Sequence, residues 1–206
     1  MTAAAKTDTR ALIVIDVQTG FCPGGNLAVP GGDEIVPGIN ALMVDFDHVI
    51  LTQDWHPAGH SSFASSHPGC APYDVIDMPY GAQVLWPDHC IQGTRDAAFH
   101  PDLHTDRARA VIRKGFNPAV DSYSAFFEND HQTPTGLEGL LRALNITDLT
   151  LVGLATDFCV NFSALDAARL GFDVAVREDL SRAIDLDGSL AAARTAMEKA
   201  GVALIS

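Results

Sequence analysis

A three-layer α/β/α fold with a mainly parallel central sheet is what this sequence predicts, on three observations. Short β-branched or aliphatic runs recur at residues 11–15, 49–52, 110–113, 149–153, 174–176 and 202–205, the pattern of strands buried on both faces. Amphipathic stretches of helical period cover residues 35–46, 137–144, 160–170 and 190–200. The last two stop at Gly171 and Gly201, where a glycine just past a helix end is expected. The alternation of strands with helices implies crossovers that cover both faces of a parallel sheet.

Composition bounds the function. The chain has 206 residues, 47% of them hydrophobic, enough to bury a core without disulfides. Residues 1–10 carry scattered charge and no apolar run, and read as a flexible tail ahead of a single domain over residues 11–206. With no secretory h-region and no apolar stretch of membrane-spanning length, the protein is expected to be soluble and cytoplasmic, with no membrane partner. A net charge of −13 argues against nucleic acid, which is held by clustered Lys and Arg. A homo-oligomer is left open. Neither a G-x-G-x-x-G nor a P-loop pattern is present, so a nucleotide site has no support. One irregular region, from Asp54 to about Asp106, is rich in His, Pro, Gly and Ser, and a stretch of that length inside a compact domain points to function.

In open parallel sheets the ligand lies outside the carboxyl ends of the strands. Asp16, Asp54, Lys114 and Cys159 all fall there, after the first, second, third and fourth apolar runs. Cys159 opens the helix expected over 160–170, where free backbone N–H groups and the helix dipole would favour a thiolate. The alternative is a buried cysteine acting as a small hydrophobe. The other cysteines, Cys22, Cys70 and Cys90, form no C-x-x-C pair with it or each other. Asp16 could take the thiol proton and pass it to a leaving amine, or serve as a turn acid. Lys114, if directed inward, would lower the thiol pKa and hold the aspartate ionised; otherwise it is a solvated strand end.

Asp54 and His56 are two apart, so on extended chain both face the same way, as metal ligands need. His89 could be the third ligand, leaving open positions for water or substrate. His60 is a further candidate, as a ligand or as a residue that orients one. The isolated His48, His67, His100, His104 and His131 read as exposed or hydrogen-bonded. Phe21 and Trp86 could sandwich a flat ring or pack in the core.

With these residues in place, the chain resembles the nicotinamidase/pyrazinamidase branch of the isochorismatase-like cysteine hydrolases over nearly its whole length. The resemblance rests on Asp16-Val-Gln with Phe21-Cys-Pro-Gly-Gly, Asp54-Trp-His-Pro with His60-Ser-Ser-Phe, Trp86-Pro-Asp-His-Cys, Lys114-Gly and Gly153-Leu-Ala-Thr-Asp-Phe-Cys159-Val, in the family's order. It implies a catalytic triad of Asp16, Lys114 and Cys159, and one divalent ion on Asp54, His56 and His89, zinc with iron or manganese as alternatives. It also implies a cis peptide before Ala155, so that the N–H groups of Ala155 and Cys159 form an oxyanion hole, with Phe21, Trp86 and Ala155 against the substrate. The implied reaction is hydrolysis of nicotinamide to nicotinate and ammonia through a cysteine thioester, in NAD salvage, with pyrazinamide as a further substrate. One departure stands out: the family's usual Asn-Asp after Asp-Val-Gln is Thr19-Gly20 here, at the edge of the expected pocket.

Overall fold

The computed structural model describes residues 9–206, so residues 1–8 of the expected tail lie outside the described residues. Strand β1 (Arg10–Ile15) begins one residue inside that stretch. The Arg10 guanidinium stacks 5.3 Å from the Phe46 ring centroid, which gives the strand's first residue a tertiary contact.

Six strands form one parallel sheet: β1, β2 (Val49–Asp54), β5 (Ala110–Lys114), β6 (Asp148–Leu154), β7 (Asp173–Arg182) and β8 (Ala203–Ile205), in the order β5-β2-β1-β6-β7-β8. The apolar runs become strands because both faces are covered. Leu12 and Val14 pack with Leu51, Val152 and the helix α1 (Val36–Leu42) on one face. Ala11, Ile13 and Ile15 pack on the other against α2 (Leu137–Ala143), α3 (Asn161–Arg169) and α4 (Ser189–Lys199). This is the three-layer arrangement that the sequence predicts. A membrane-spanning helix is absent among the described residues: none is long and apolar enough.

Three local differences have physical reasons. The helical pattern over 35–46 gives an α-helix only to Leu42, and a tighter 3₁₀ turn, Met43–Asp45, completes it. β7 runs on to Arg182, well past the apolar run at 174–176, because a register irregularity opposite Leu151 and Gly153 lets its polar half rejoin β6 at Ser181 and Arg182. The irregular region contains a small antiparallel hairpin, β3 (Val75–Met78) with β4 (Gly81–Val84), whose short mixed sequence carries no apolar run.

The chain builds outward from β1 through β2 to β5 and then returns to place β6 on the other side of β1. That reversal puts the topological switch between β1 and β6, where a crevice opens at the strand ends. Gly153 is paired with Ile15 at this seam with φ +119°, and a Cβ there would strike the Ile15 carbonyl oxygen. Gly153→Ala should therefore lower stability by roughly 2–4 kcal/mol, from the left-handed backbone and the collision together. Urea unfolding checks this, and an unchanged midpoint would show that the seam yields freely.

Candidate active site

The strand ends deliver four side chains to one point. Lys114, the last residue of β5, is buried, and its Nζ donates to Asp54 Oδ1 at 2.7 Å, to the Ser122 carbonyl at 2.9 Å and to Cys159 Sγ at 3.4 Å. Asp16 Oδ2 lies 2.9 Å from the same Nζ. Asp16 Oδ2 is paired with that ammonium by charge and accepts no well-aligned hydrogen bond, while the Thr52 hydroxyl donates to Asp16 Oδ1 at 2.6 Å. A buried carboxylate oxygen with an unused lone pair, beside a thiol, is a ready proton acceptor.

The electrostatics follow from this packing. Burial pushes Asp16 above the usual carboxylate range and Asp54 adds to the shift, although Lys114 opposes it. Burial acts the same way on Asp54, but Lys114 and His56 outweigh it and hold that carboxyl well below the usual range. For Lys114 burial disfavours the ammonium, yet Asp16 and Asp54 keep it firmly charged. Cys159 differs from the sequence expectation of a resting thiolate. Burial pushes its thiol well up and the two carboxylates add to this, more than Lys114 offsets. The position differs too: the helical path starts ahead of the cysteine, in a wide turn over Thr156–Val160 in which the Val160 N–H reaches the Ala155 carbonyl at 3.1 Å. Cys159 therefore sits inside the first turns of a helix that continues as α3.

The peptide between Leu154 and Ala155 is cis, as the resemblance implies. Ala155 and Cys159 both line one pocket that opens to solvent. Its apolar wall is made by Phe21, Leu27, Trp86, Tyr123, Phe158 and Ile184, and its polar groups come from Asp54, His89 and Asp121 as well as Cys159. Phe21 and Trp86 thus reach the pocket, whereas Thr19 and Gly20 bond through their N–H groups to the carbonyls of Ala98 and Asp96, and the pocket wall takes only Phe21 from that turn.

Beside Lys114, one ligand atom from each of Asp54, His56 and His89 lies within 4.8 Å of the others, and all three residues are buried. This is a candidate metal site, and its donors fit an ion. His56 Nδ1 donates to the Gly115 carbonyl at 3.0 Å and His89 Nδ1 to the Pro87 carbonyl at 2.8 Å, which leaves each Nε2 facing Asp54 Oδ2, at 3.3 and 3.5 Å. A backbone carbonyl that fixes the far nitrogen is the arrangement that orients an imidazole as a ligand. Gly115 is required here: it has φ +65°, and a Cβ would collide with the His56 ring.

A second group, His56, His60 and Asp121, also brings ligand atoms within 4.8 Å. His60, however, has no nitrogen to offer. The Ser62 N–H donates to its Nδ1 at 3.1 Å, so the ring proton is on Nε2, which donates to the Asn117 carbonyl at 2.8 Å. His60 instead stacks on His56, ring centroids 4.4 Å apart, and ties the 115–118 segment behind it. Of the isolated histidines, His67 holds the Ser61 carbonyl at 2.7 Å, a hydrogen-bonded role as expected.

Sequence reasoning missed Tyr123, Asp121, Leu27, Ile184 and Phe158. Phe158 was adjacent to Cys159 in the motif and could have been found there; the others lie on irregular chain without periodicity. Trp86 meets Phe158 edge-on at 4.8 Å, and its indole N–H donates to the Tyr123 hydroxyl at 3.2 Å. Gln83 Nε2 donates to that hydroxyl at 2.9 Å and to Asp121 Oδ2 at 2.8 Å. Asp157, two residues before the nucleophile candidate, accepts the N–H groups of Ile184 at 3.1 Å and Asp185 at 2.7 Å and the Ser189 hydroxyl, and so hangs one pocket wall from the Cys159 turn.

Comparison with known proteins agrees with this geometry. A nicotinamidase of Acinetobacter baylyi is 54% identical over 201 residues, covering 98% of this chain and 94% of that protein. The solved nicotinamidase/pyrazinamidase of Acinetobacter baumanii superposes with a TM-score of 0.96 at 54% identity, over 98% of both chains. The pyrazinamidase of Pyrococcus horikoshii, solved in complex with zinc, superposes at 0.78 with 32% identity, over 97% of this chain and 99% of that one. The isochorismatase domain model matches residues 10–206, from the first residue of β1 to the end of the chain. With nearly every described residue inside that match, the chain belongs to the isochorismatase domain family, within its nicotinamidase/pyrazinamidase branch.

Proposed function

We propose that the chain is a nicotinamidase: a cysteine amidohydrolase that converts nicotinamide to nicotinate and ammonia, accepts pyrazinamide as well, and serves NAD salvage in the cytoplasm. The observation that carries this reading is the single buried ammonium of Lys114 in reach of Asp16, Asp54 and Cys159, the last two of which line an aromatic-walled pocket. Asp16, Lys114 and Cys159 are the proposed catalytic residues, the N–H groups of Ala155 and Cys159 the oxyanion donors, and Phe21, Trp86 and Ala155 the substrate contacts.

Because burial and the two carboxylates raise the Cys159 pKa, attack begins with transfer of the thiol proton to Asp16. Sulfur then bonds to the carboxamide carbon, the carbonyl electrons move to oxygen, and the oxyanion is held by the two N–H groups. Asp16 returns the proton to the amide nitrogen, the C–N bond breaks, and ammonia leaves. Water attacks the thioester as Asp16 takes its proton, the C–S bond breaks, and that proton goes back to sulfur. Lys114 keeps its charge throughout and stabilises both anionic partners. Asp54, His56 and His89 would hold one divalent ion, zinc in keeping with the zinc-bound relative, with iron or manganese as alternatives. An ion bound there would supply Lewis-acid character beside the pocket, where it could orient a ring nitrogen.

Purified protein should release ammonia from nicotinamide, and Cys159→Ala should remove at least about 10³-fold of kcat while ring binding persists. Retention of substantial turnover by the variant would end the thioester reading. For pH, Lys114 is what draws the raised Asp16 pKa downward. Lys114→Met should therefore shift the acid limb of kcat/KM to higher pH, since Asp16 must be deprotonated to accept the thiol proton. An acid limb at the same pH in both proteins would place Lys114 outside the reaction. Benzamide, which lacks the ring nitrogen, should be a much poorer substrate than nicotinamide, and chelation should narrow the gap. Equal kcat/KM for the two amides in metal-loaded protein would remove the ring-anchoring role.

A further inference from the structure

We propose that Asp121 is a third anion of the metal site, one that supplies charge beside the ion without ligating it. The inference rests on the ion proposed above for Asp54, His56 and His89. Asp121 is 2% exposed and lines the same pocket as Asp54 and His89. One of its oxygens lies within 4.8 Å of ligand nitrogens on His56 and His60. The donors to its carboxylate are neutral: the Ser122 N–H to Oδ1 and the Gln83 amide to Oδ2, each at 2.8 Å.

A buried carboxylate held only by neutral donors is costly unless a cation lies close. Lys114 does not meet that need, because its ammonium is shared between Asp16 and Asp54 and also bonds the Ser122 carbonyl and Cys159. His60 cannot meet it either, because both its nitrogens are committed in the neutral tautomer. Asp121 thus adds a third buried carboxyl group to Asp16 and Asp54, whose shared partner is the one ammonium of Lys114. Direct ligation by Asp121 is disfavoured by the same bonds. The donor set it would join needs a lone pair that His60 lacks, and the free nitrogen of His56 is directed at Asp54.

Asp121→Asn keeps the shape and removes the charge. The full-length protein and the variant would be stripped of metal, and affinity for Zn²⁺ and Co²⁺ measured by competition with a chromophoric chelator. The variant should bind each ion roughly tenfold or more weakly, as loss of a nearby unit charge at low effective dielectric implies. The Co²⁺ absorption bands should stay in place, since the ligands are unchanged. Thermal unfolding separates charge from packing. The metal-free variant should be more stable than the metal-free parent, yet gain less on adding Zn²⁺. Equal affinities, shifted Co²⁺ bands, or a parallel loss of stability with and without metal would each overturn the proposal. Failure of the parent itself to bind either ion would instead overturn the metal reading of Asp54, His56 and His89.

Discussion

Everything in the site depends on the burial of one ammonium group. Lys114 is removed from water at the end of β5, and only the carboxylates at the ends of β1 and β2 make that burial tolerable. Breaking such a buried pair from one side typically costs about 3–5 kcal/mol, because the partner's charge is stranded. The contacts therefore do two things at once. They pin the carboxyl ends of β1, β2 and β5 together, and they shift the proton affinities of Asp16, just past β1, and of Cys159, in the helical turn after β6.

Asp54 joins the two halves of the site. One of its oxygens bonds Lys114 and the other faces both imidazoles, so the geometry around the thiol and the geometry of the candidate metal donors share one rigid group. Its depressed pKa ensures that the shared group is an anion over the whole neutral range. The imidazoles are in turn aimed by backbone carbonyls at Gly115 and Pro87. Gly115 directly follows Lys114, so β5 sets both the cation and the orientation of His56.

How much of this could be read from the sequence depends on whether local pattern or long-range contact decided each feature. The sheet was legible because β1, β2 and β6 are buried on both faces and leave uninterrupted apolar runs. Asp16, Asp54, Lys114 and Cys159 were legible because parallel strands aim their carboxyl ends at one crevice. The polar half of β7 was not, since its pairing with β6 resumes only after an irregularity that no local residue pattern announces. Tyr123 and Asp121 were hidden for a related reason: they sit on irregular chain and are placed by Gln83 and Trp86, some forty residues earlier. The raised pKa of Cys159 was also beyond a reading of the helix terminus, because desolvation and two carboxylates outweigh the single ammonium. His60 was recognised as near the candidate metal site, but it takes the Ser62 N–H and the Asn117 carbonyl to show which of its nitrogens carries the proton.

The Asp157 carboxylate has a kinetic consequence. It suspends Ile184, at the pocket wall, from the same turn that carries Cys159 two residues later. A ring too thick or too heavily substituted for the pocket must push Ile184 outward, and that push is transmitted to the backbone that aims the sulfur and one oxyanion donor. On the proposed mechanism, size discrimination would then act on the barrier as well as on the encounter: an oversized amide that gained entry would meet the Cys159 sulfur displaced from its line of attack, and misplacement by even an ångström is costly in rate.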